Sequence, residues 1–494
     1  MKSKLVHFIK TKPVFALLLC LFFVLHGFTA NYDFIPFRDG LLLTGLYVLV
    51  TLFITALSQL FYKHLIKASL LAFCIMGFHF FFGAAHDELK ILFDDALVTR
   101  YSFILPATLI IFLLILIILK KTRRPLLRLN YFLNSLIFLL VLIESGWLIS
   151  KIAGNSHKVA SSLPEEFIPV HDVSKPDIYL IVADEYPGNV ELKEVFSFDN
   201  AVFEASLKQR GFHTIPYSRS NYNYTPFAGA SLLNMGYLHL ENKDRGQTDL
   251  AFCYKTIRNN KLFHFLQLHD YRFYNYSVFD FNGQPARVNE TFLPVKTRLI
   301  TLQTFLSRLN RDIRFNLITK WKSKSELKKL TYSSLHNNNN IYELTWNNVK
   351  DGSPSPKFIY SHLMMPHYPY YFDENGTALP FERLVEGNQT NQKDFIGYLQ
   401  YSNKKYLALI DHILQSSAKP PIIILMGDHG FRHFKQPVAN DYYFLNHVSV
   451  YLPGQNYAAF SDSLTSVNLF RTILNTEFHQ ALPILKDSTI YLKD

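Results

Sequence analysis

The stretch "PIIILMGDHGFRHF", Pro421 to Phe434, sets an Asp and a His side by side at the end of an apolar run. Four aliphatic residues and a Met read as a buried strand. Gly427 and Gly430 bracket the pair, as expected where the backbone turns sharply after a pair of ligands. A second apolar run, "DIYLIVADEYPG", ends in Asp184-Glu185. Carboxylate oxygens and an imidazole nitrogen form a mixed donor set suited to zinc or manganese. A hydroxyl beside such a cation becomes a nucleophile, and the loop "SRSNYNYTPFAGASLLNMGY" offers Ser220, Thr225 and Ser231. Thr225 stands just before Pro226 and a run of small residues that opens a helix, whose free N–H groups favour an anion. That chemistry is attack on phosphorus.

The elements that must position these residues are legible as alternating strands and helices. "FEASLKQRGFHTI" has helical spacing, a Gly stop and then a strand. "PKFIYSHLMMPHYPY" is a strand running into a His-rich loop, and "YSNKKYLALIDHILQ" is an amphipathic helix feeding the Asp428 strand. "HVSVYLPG" reads as a late strand, "SLTSVNLFRTILN" as a late helix, and "HNNNN" (336–340) as a low-complexity loop. Continuous apolar strands alternating with helices predict an α/β domain with a largely parallel central sheet, whose sites form at the strands' carboxyl ends.

Apolar residues make up 49% of the 494-residue chain and aromatics 15%. They concentrate near 14–30, 41–62, 68–85, 102–119 and 131–150, each close to the ~20 residues that cross a bilayer. We therefore expect five transmembrane helices in residues 1–153, a polar linker at 154–176 and an α/β domain at 177–494. Residues 1–155 carry 15 Lys/Arg against 7 Asp/Glu, and the remainder 35 against 32, so most of the net charge of +11 belongs to the membrane part. The basic residues lie on alternate loops: the N-terminal lysines, Lys63 and Lys67, and "KKTRRPLLR". The positive-inside rule then places the N-terminus in the cytoplasm and the α/β domain outside the cytoplasmic membrane. The basic charge is a membrane signature and gives no support to nucleic-acid binding. Cys20 and Cys74 fall in spans and Cys253 is alone, so no disulfide framework is expected. Residues 298–321 place Leu and Ile at helical spacing beside arginines, predicting an amphipathic helix on the membrane surface or over the sheet.

In that order, "DIYLIVADEYPG", the Thr225 loop, "PHYPY" and "LMGDHG" resemble the alkaline phosphatase/sulfatase superfamily over roughly 176–480. With five spans in front, the architecture is similar to lipoteichoic acid synthases and lipid A phosphoethanolamine transferases. The resemblance implies one or two divalent ions, zinc or manganese. It implies Asp184 as an acidic ligand in preference to Glu185, with Asp428 and His429 completing the site. Thr225 would be both ligand and nucleophile. His367, and less closely His362, fall where the family contacts substrate, and Arg432 and His433 could hold a phosphate's outer oxygens. Cys253, in "AFCYKTIRN", does not stand in the Cys-x-Pro-x-Arg motif of ordinary sulfatases. The expected activity is phosphotransfer from a phosphodiester, such as a membrane phospholipid head group, to an envelope glycan or lipid. A hydrolase of the same superfamily (phosphodiesterase, phosphatase or atypical sulfatase) and a non-catalytic scaffold or sensor are the alternatives.

Overall fold

We describe the chain from a computed structural model. It describes every residue except 1, 33, 94–95, 155–165, 169–174, 244, 282, 287–291, 293–295, 315–327, 330, 351–354, 386 and 494. Most of the expected linker therefore lies outside the described residues. Two compact units result, Met1–Lys158 with Pro294–Lys322, and Val159–Leu293 with Ser323–Asp494.

In the first unit, among the described residues, four helices are long and apolar enough to cross a membrane: Phe37–Tyr62, Leu65–Leu92, Tyr101–Lys121 and Leu127–Ala153. The expected first span is a shorter apolar helix, Phe15–Ala30. Its 16 residues fall just below the usual ~20, so the count of five is approximate. The Tyr101–Lys121 helix buries none of its side chains, and Leu109 and Ile118 are about 60% exposed, a surface suited to lipid. Inside the unit, Phe23 stacks on Phe80 with ring centroids 4.2 Å apart.

Residues 298–314 group with these helices. The expected continuous helix is broken into Arg298–Thr301, Phe305–Leu309 and a π-helical turn at Asn310–Arg314. The break lets Gln303 meet a membrane helix backbone to backbone, the Gly83 N–H donating to the Gln303 carbonyl at 2.8 Å. A Cβ at Gly83 would lie 2.4 Å from that carbonyl oxygen, so only glycine admits the approach. Phe305 packs between Phe78 and Phe82, Arg308 pairs with Asp87, and the Tyr101 hydroxyl donates to Asp312 at 2.6 Å. The remainder of the predicted segment, through Trp321, lies outside the described residues.

The second unit is built on six strands: β1 (Ile178–Ala183), β2 (His213–Thr214), β3 (Arg272–Tyr276), β4 (Lys357–Leu363), β5 (Ile422–Gly427) and β6 (Val448–Tyr451). Their order is β2-β6-β5-β1-β4-β3. β5, β1, β4 and β3 run parallel, while β6 and β2 add an antiparallel edge. β1, β4 and β5 are buried along their whole length, as their unbroken apolar sequences require. Register then sets the site. Ala183 pairs with Leu363 on one side and Gly427 on the other, so Asp184 and Asp428 leave the sheet together. Val182 pairs with both His362 and Met426. Because side chains alternate, Asp184, His362 and Asp428 share one face.

The Asn run at 336–340 is helical, within Ser333–Asn348, and does not form the expected loop. Asn338 is buried and bonds both backbone groups of Met364, accepting from its N–H at 2.7 Å and donating to its carbonyl at 3.0 Å. Ile341 and Thr345 are also buried on this helix. Tertiary contacts override the weak helix propensity of Asn.

Candidate metal centre and nucleophile

Among the described residues, two groups of carboxylate and imidazole form at the carboxyl edge of β1, β4 and β5. Asp184, His362 and Asp428 bring their ligand atoms within 4.8 Å of one another, and so do Glu185, His367 and His433. Asp184 and Glu185 are adjacent in sequence but serve different groups. Glu185 has φ of +58°, the left-handed region that a side chain enters only where the fold over-determines it. That turn takes Glu185 out of strand alternation, while its backbone N–H donates to Asp428 Oδ1 at 2.9 Å.

The hydrogen bonds show which donor atoms of the clusters remain available. Asp428 Oδ1 accepts from the Glu185 and His429 N–H groups, but Oδ2 is buried with no hydrogen-bond partner among the described residues. His429 Nδ1 lies 2.7 Å from the Gly430 carbonyl and must donate to it, leaving a lone pair on Nε2. That lone pair faces Asp428 Oδ2 at 3.3 Å. The second cluster repeats the pattern. Glu185 Oε1 accepts from the Arg432 N–H at 2.7 Å, and Oε2 is a buried orphan. His367 Nδ1 is tied to the Tyr368 carbonyl at 2.5 Å, so Nε2 presents a lone pair 3.7 Å from Glu185 Oε2. His433 Nε2 also stands 3.7 Å from that oxygen. Two acceptors facing each other in a buried site repel unless a cation or a proton lies between them. Ligand bonds of ~2.0–2.2 Å place neighbouring donors of a tetrahedral site roughly 3.3–3.6 Å apart, close to these separations. The residues fit a metal at both positions.

Electrostatics agree. Burial alone would raise the Asp184 carboxyl, but the hydrogen bond from His362 and the nearby His367 and His429 hold it well below its ordinary value. Burial lowers His367, yet Glu185 and Asp184 outweigh it and draw its pKa upward. His433 is lowered, chiefly by burial. Tyr360 is a buried phenol whose pKa is pushed up by burial and by Asp428 and Asp184. With its hydroxyl 3.3 Å from His362 Nδ1 and donating, His362 Nε2–H holds Asp184 Oδ2 at 3.1 Å. His362 thus orients the carboxylate.

Thr225 is the first residue of the helix Thr225–Asn234, with Pro226 in the first turn as the sequence suggested. It is 1% exposed, and its Oγ1 lies 3.4 Å from His429 Nε2. Ser220 and Ser231 are spent elsewhere, on the Tyr222 and Gly236 carbonyls. Arg432 sets its guanidinium over the Tyr224 ring at 5.1 Å, one residue from Thr225. Gly427 and Gly430 do not adopt the left-handed conformation among the described residues, so the sharp-turn explanation fails for them. Room is the reason: a Cβ on either would lie 2.1 Å from a carbonyl oxygen, that of Tyr186 or of Tyr442. Sequence reasoning missed Tyr360 and Glu191. Glu191, in "PGNVELKEVF", is fully buried beside Gly430 and accepts from the Phe431 N–H; burial raises its pKa well above the ordinary carboxyl range. No motif marks either.

No protein-family model matches the sequence, and no curated protein matches it. Among solved structures the chain is similar to the zinc complex of the C-terminal periplasmic domain of EcEptC from Escherichia coli. That match has 12% identity and a TM-score of 0.41, covering 67% of this chain and 94% of the other. The C-terminal periplasmic domain of phosphoethanolamine transferase EptC from Campylobacter jejuni matches at 14% identity and TM-score 0.34, over 62% and 90% of the two chains. Phosphonate monoester hydrolase SpPMH from Silicibacter pomeroyi matches at 14% and 0.39, over 64% and 75%. What can be said of this chain is that it is a membrane protein with an α/β unit, carrying a carboxylate–imidazole centre at the edge of its sheet.

Proposed function

We propose that the protein is a membrane-anchored, metal-dependent phosphotransferase with Thr225 as nucleophile, acting outside the cytoplasmic membrane on a phosphodiester donor such as a phospholipid head group. The observation that carries this reading is the position of Thr225. Its hydroxyl, at a helix N-terminus and 3.4 Å from His429 Nε2, stands beside buried acceptors that a cation would bridge. Asp184, Asp428, His429 and Thr225 would hold one ion, with Glu185, His367 and His433 available for a second. When bound, such an ion supplies charge stabilisation at phosphoryl oxygens and lowers the proton affinity of a neighbouring hydroxyl.

The chain's own residues do the rest. Thr225 Oγ1 gives up its proton and forms a bond to phosphorus, while the bond from phosphorus to the donor's leaving oxygen breaks. The departing alkoxide takes up a proton. An acceptor hydroxyl then attacks the phospho-Thr ester, restoring the Thr225 hydroxyl. The helix N-terminus behind Thr225 favours the anionic phosphoryl group in both steps. Arg432, held over the Tyr224 ring, would bind an outer phosphate oxygen. Burial of the centre keeps water from competing with the acceptor.

Intact-mass analysis of the full chain in detergent, incubated with zinc and a phospholipid donor, tests the mechanism. An adduct equal to the transferred phosphoryl group should map to Thr225 and vanish in Thr225→Ala, with activity falling on the order of 10³-fold or more. Undiminished turnover in that variant would sink it.

A further inference from the structure

Between three of its membrane helices the first unit leaves a cavity of about 700 Å³. Leu105, Leu109, Phe112 and Leu116 of the Tyr101–Lys121 helix form one wall. The Phe37–Tyr62 helix contributes Leu46 and Val50 among others, and the Leu65–Leu92 helix Leu71 and Ile75. Phe305 and Leu306, from the segment that docks on these helices, complete the lining. Phe305 is held there by Phe78, with ring centroids 4.9 Å apart, and Phe78 in turn meets Phe112 edge-on at 5.7 Å. Among the described residues no Lys, Arg, Asp or Glu lines the cavity, and its polar members are Tyr47, His79 and Thr108. The His79 ring is itself engaged, edge-on to Tyr47 at 5.8 Å.

Packed bundles hold few voids larger than a water molecule, and water finds no partners on an apolar wall. A cavity of this size at the depth of the spans therefore takes hydrocarbon. Its length selects the kind. From Leu105 to Leu116 the wall advances eleven residues, or roughly 16 Å at ~1.5 Å per residue. The hydrocarbon core of a bilayer is ~30 Å thick, so the cavity is about as long as the tails of one leaflet. A spanning helix from a second copy of the chain needs the whole thickness and does not fit.

We propose that this cavity binds one tail of a bilayer phospholipid as a resident ligand, with Phe305 and Leu306 closing over it. The proposal goes beyond the phosphotransfer and does not rest on it, since no lining residue belongs to the carboxylate–imidazole centre. Recognition is by contact of methylenes with aliphatic and aromatic walls. No charged side chain among the described lining grips a head group. Because Phe305 is part of the wall, an occupied cavity also holds residues 298–314 against the helices.

The test is retention of lipid by the full chain. Protein in detergent, given phosphatidylcholine and examined by native mass spectrometry, should keep one phospholipid per chain. Phosphatidylglycerol with the same tails should compete equally. Val50→Trp/Leu109→Trp fills the cavity from two helices and should lower retention at least about tenfold, because each methylene kept out loses roughly fourfold in affinity. Val50 and Leu109 are 39% and 61% exposed, so the larger rings enter without displacing backbone. Ile110→Trp, on the same helix but outside the lining, should leave retention unchanged. In phosphatidylcholine vesicles, a phospholipid with a diazirine midway along one tail should label Tyr47 and Met76, cavity residues only 8% and 2% exposed, and the double variant should lose that label. Retention of no phospholipid overturns the proposal. So does unchanged retention in the double variant, equal loss in Ile110→Trp, selection by head group, or labelling confined to exposed residues. Thr225→Ala should retain the phospholipid as wild type does, so failure of the phosphotransfer would leave this site standing.

Discussion

Asp428→Asn separates a metal centre from a merely polar one, because it should stabilise the metal-free protein and abolish its response to metal. In the wild type, Asp428 Oδ1 holds two backbone N–H groups and Oδ2 faces the His429 Nε2 lone pair at 3.3 Å with no partner. Asn keeps the first oxygen and replaces the second with an NH₂ group. At 3.3 Å that group donates to Nε2, turning a repulsion into a hydrogen bond. Making one such bond contributes about 0.5–1.5 kcal/mol, and removing a buried unsatisfied acceptor recovers about 1–3 kcal/mol. The smaller of each gives a gain of at least about 1.5 kcal/mol, or roughly 3–6 °C in melting temperature for a unit of this size. The assay is thermal unfolding of the full chain in detergent at about pH 8.5, above the ordinary imidazole range, with chelator or with zinc. Wild type should gain about 2.7 kcal/mol with zinc at a hundredfold excess over its dissociation constant. The Asp428→Asn protein should melt higher than wild type in chelator and gain much less from zinc. If it melts lower in chelator, or responds to zinc as wild type does, the orphaned pair is not a cation site.

Two further outcomes follow from the same geometry. Gly427→Ala drives a Cβ to 2.1 Å from the Tyr186 carbonyl oxygen, backbone against backbone. It should lower stability by at least about 1–3 kcal/mol and weaken zinc retention by displacing Asp428; an unchanged melting curve would refute the close approach. In chelator, His367 should make stability fall with rising pH. Its pKa is raised in the folded state, above the opposing effect of burial, by Glu185 and Asp184. The folded protein therefore binds the extra proton, and the contribution is complete below the ordinary imidazole value of ~6.5 and lost as pH climbs through the raised one. His367→Gln should flatten that slope in denaturant titrations between about pH 6 and 8.

The strands that carry Asp184 and Asp428 were legible because a fully buried parallel strand is an unbroken apolar run, and both end in acids. The Thr225 helix was legible through Pro226. What could not be read was which side chains meet. Placing His362 beside Asp184 depends on the β1–β4 register, a pairing between residues far apart in sequence. Assigning Glu185 to a different cluster depends on a single backbone dihedral of +58°. The glycines around Asp428-His429 were noticed, but their cause is contact with Tyr186 and Tyr442, and local sequence holds no trace of it. The Asn run became a helix because Met364, just past β4, offered Asn338 a bonded seat. Residues 298–314 had helical spacing but met Gly27 and Gly83, which a periodicity argument cannot see.

Those last residues also set an order of assembly. The membrane helices leave the ribosome first, yet the segment that packs on Gly27 and Gly83 is made only after β1, β2 and β3. At ~5–20 residues per second the wait is on the order of 10 s. During it, Asp87 lacks Arg308, and Phe78 and Phe82 lack Phe305. The helical bundle is therefore finished by a part of the chain that lies between two strands of the other unit. A chain stopped after the last membrane helix would keep an unfilled notch, and a chain begun beyond it would carry Leu299, Ile300 and Phe305 with nothing to cover them.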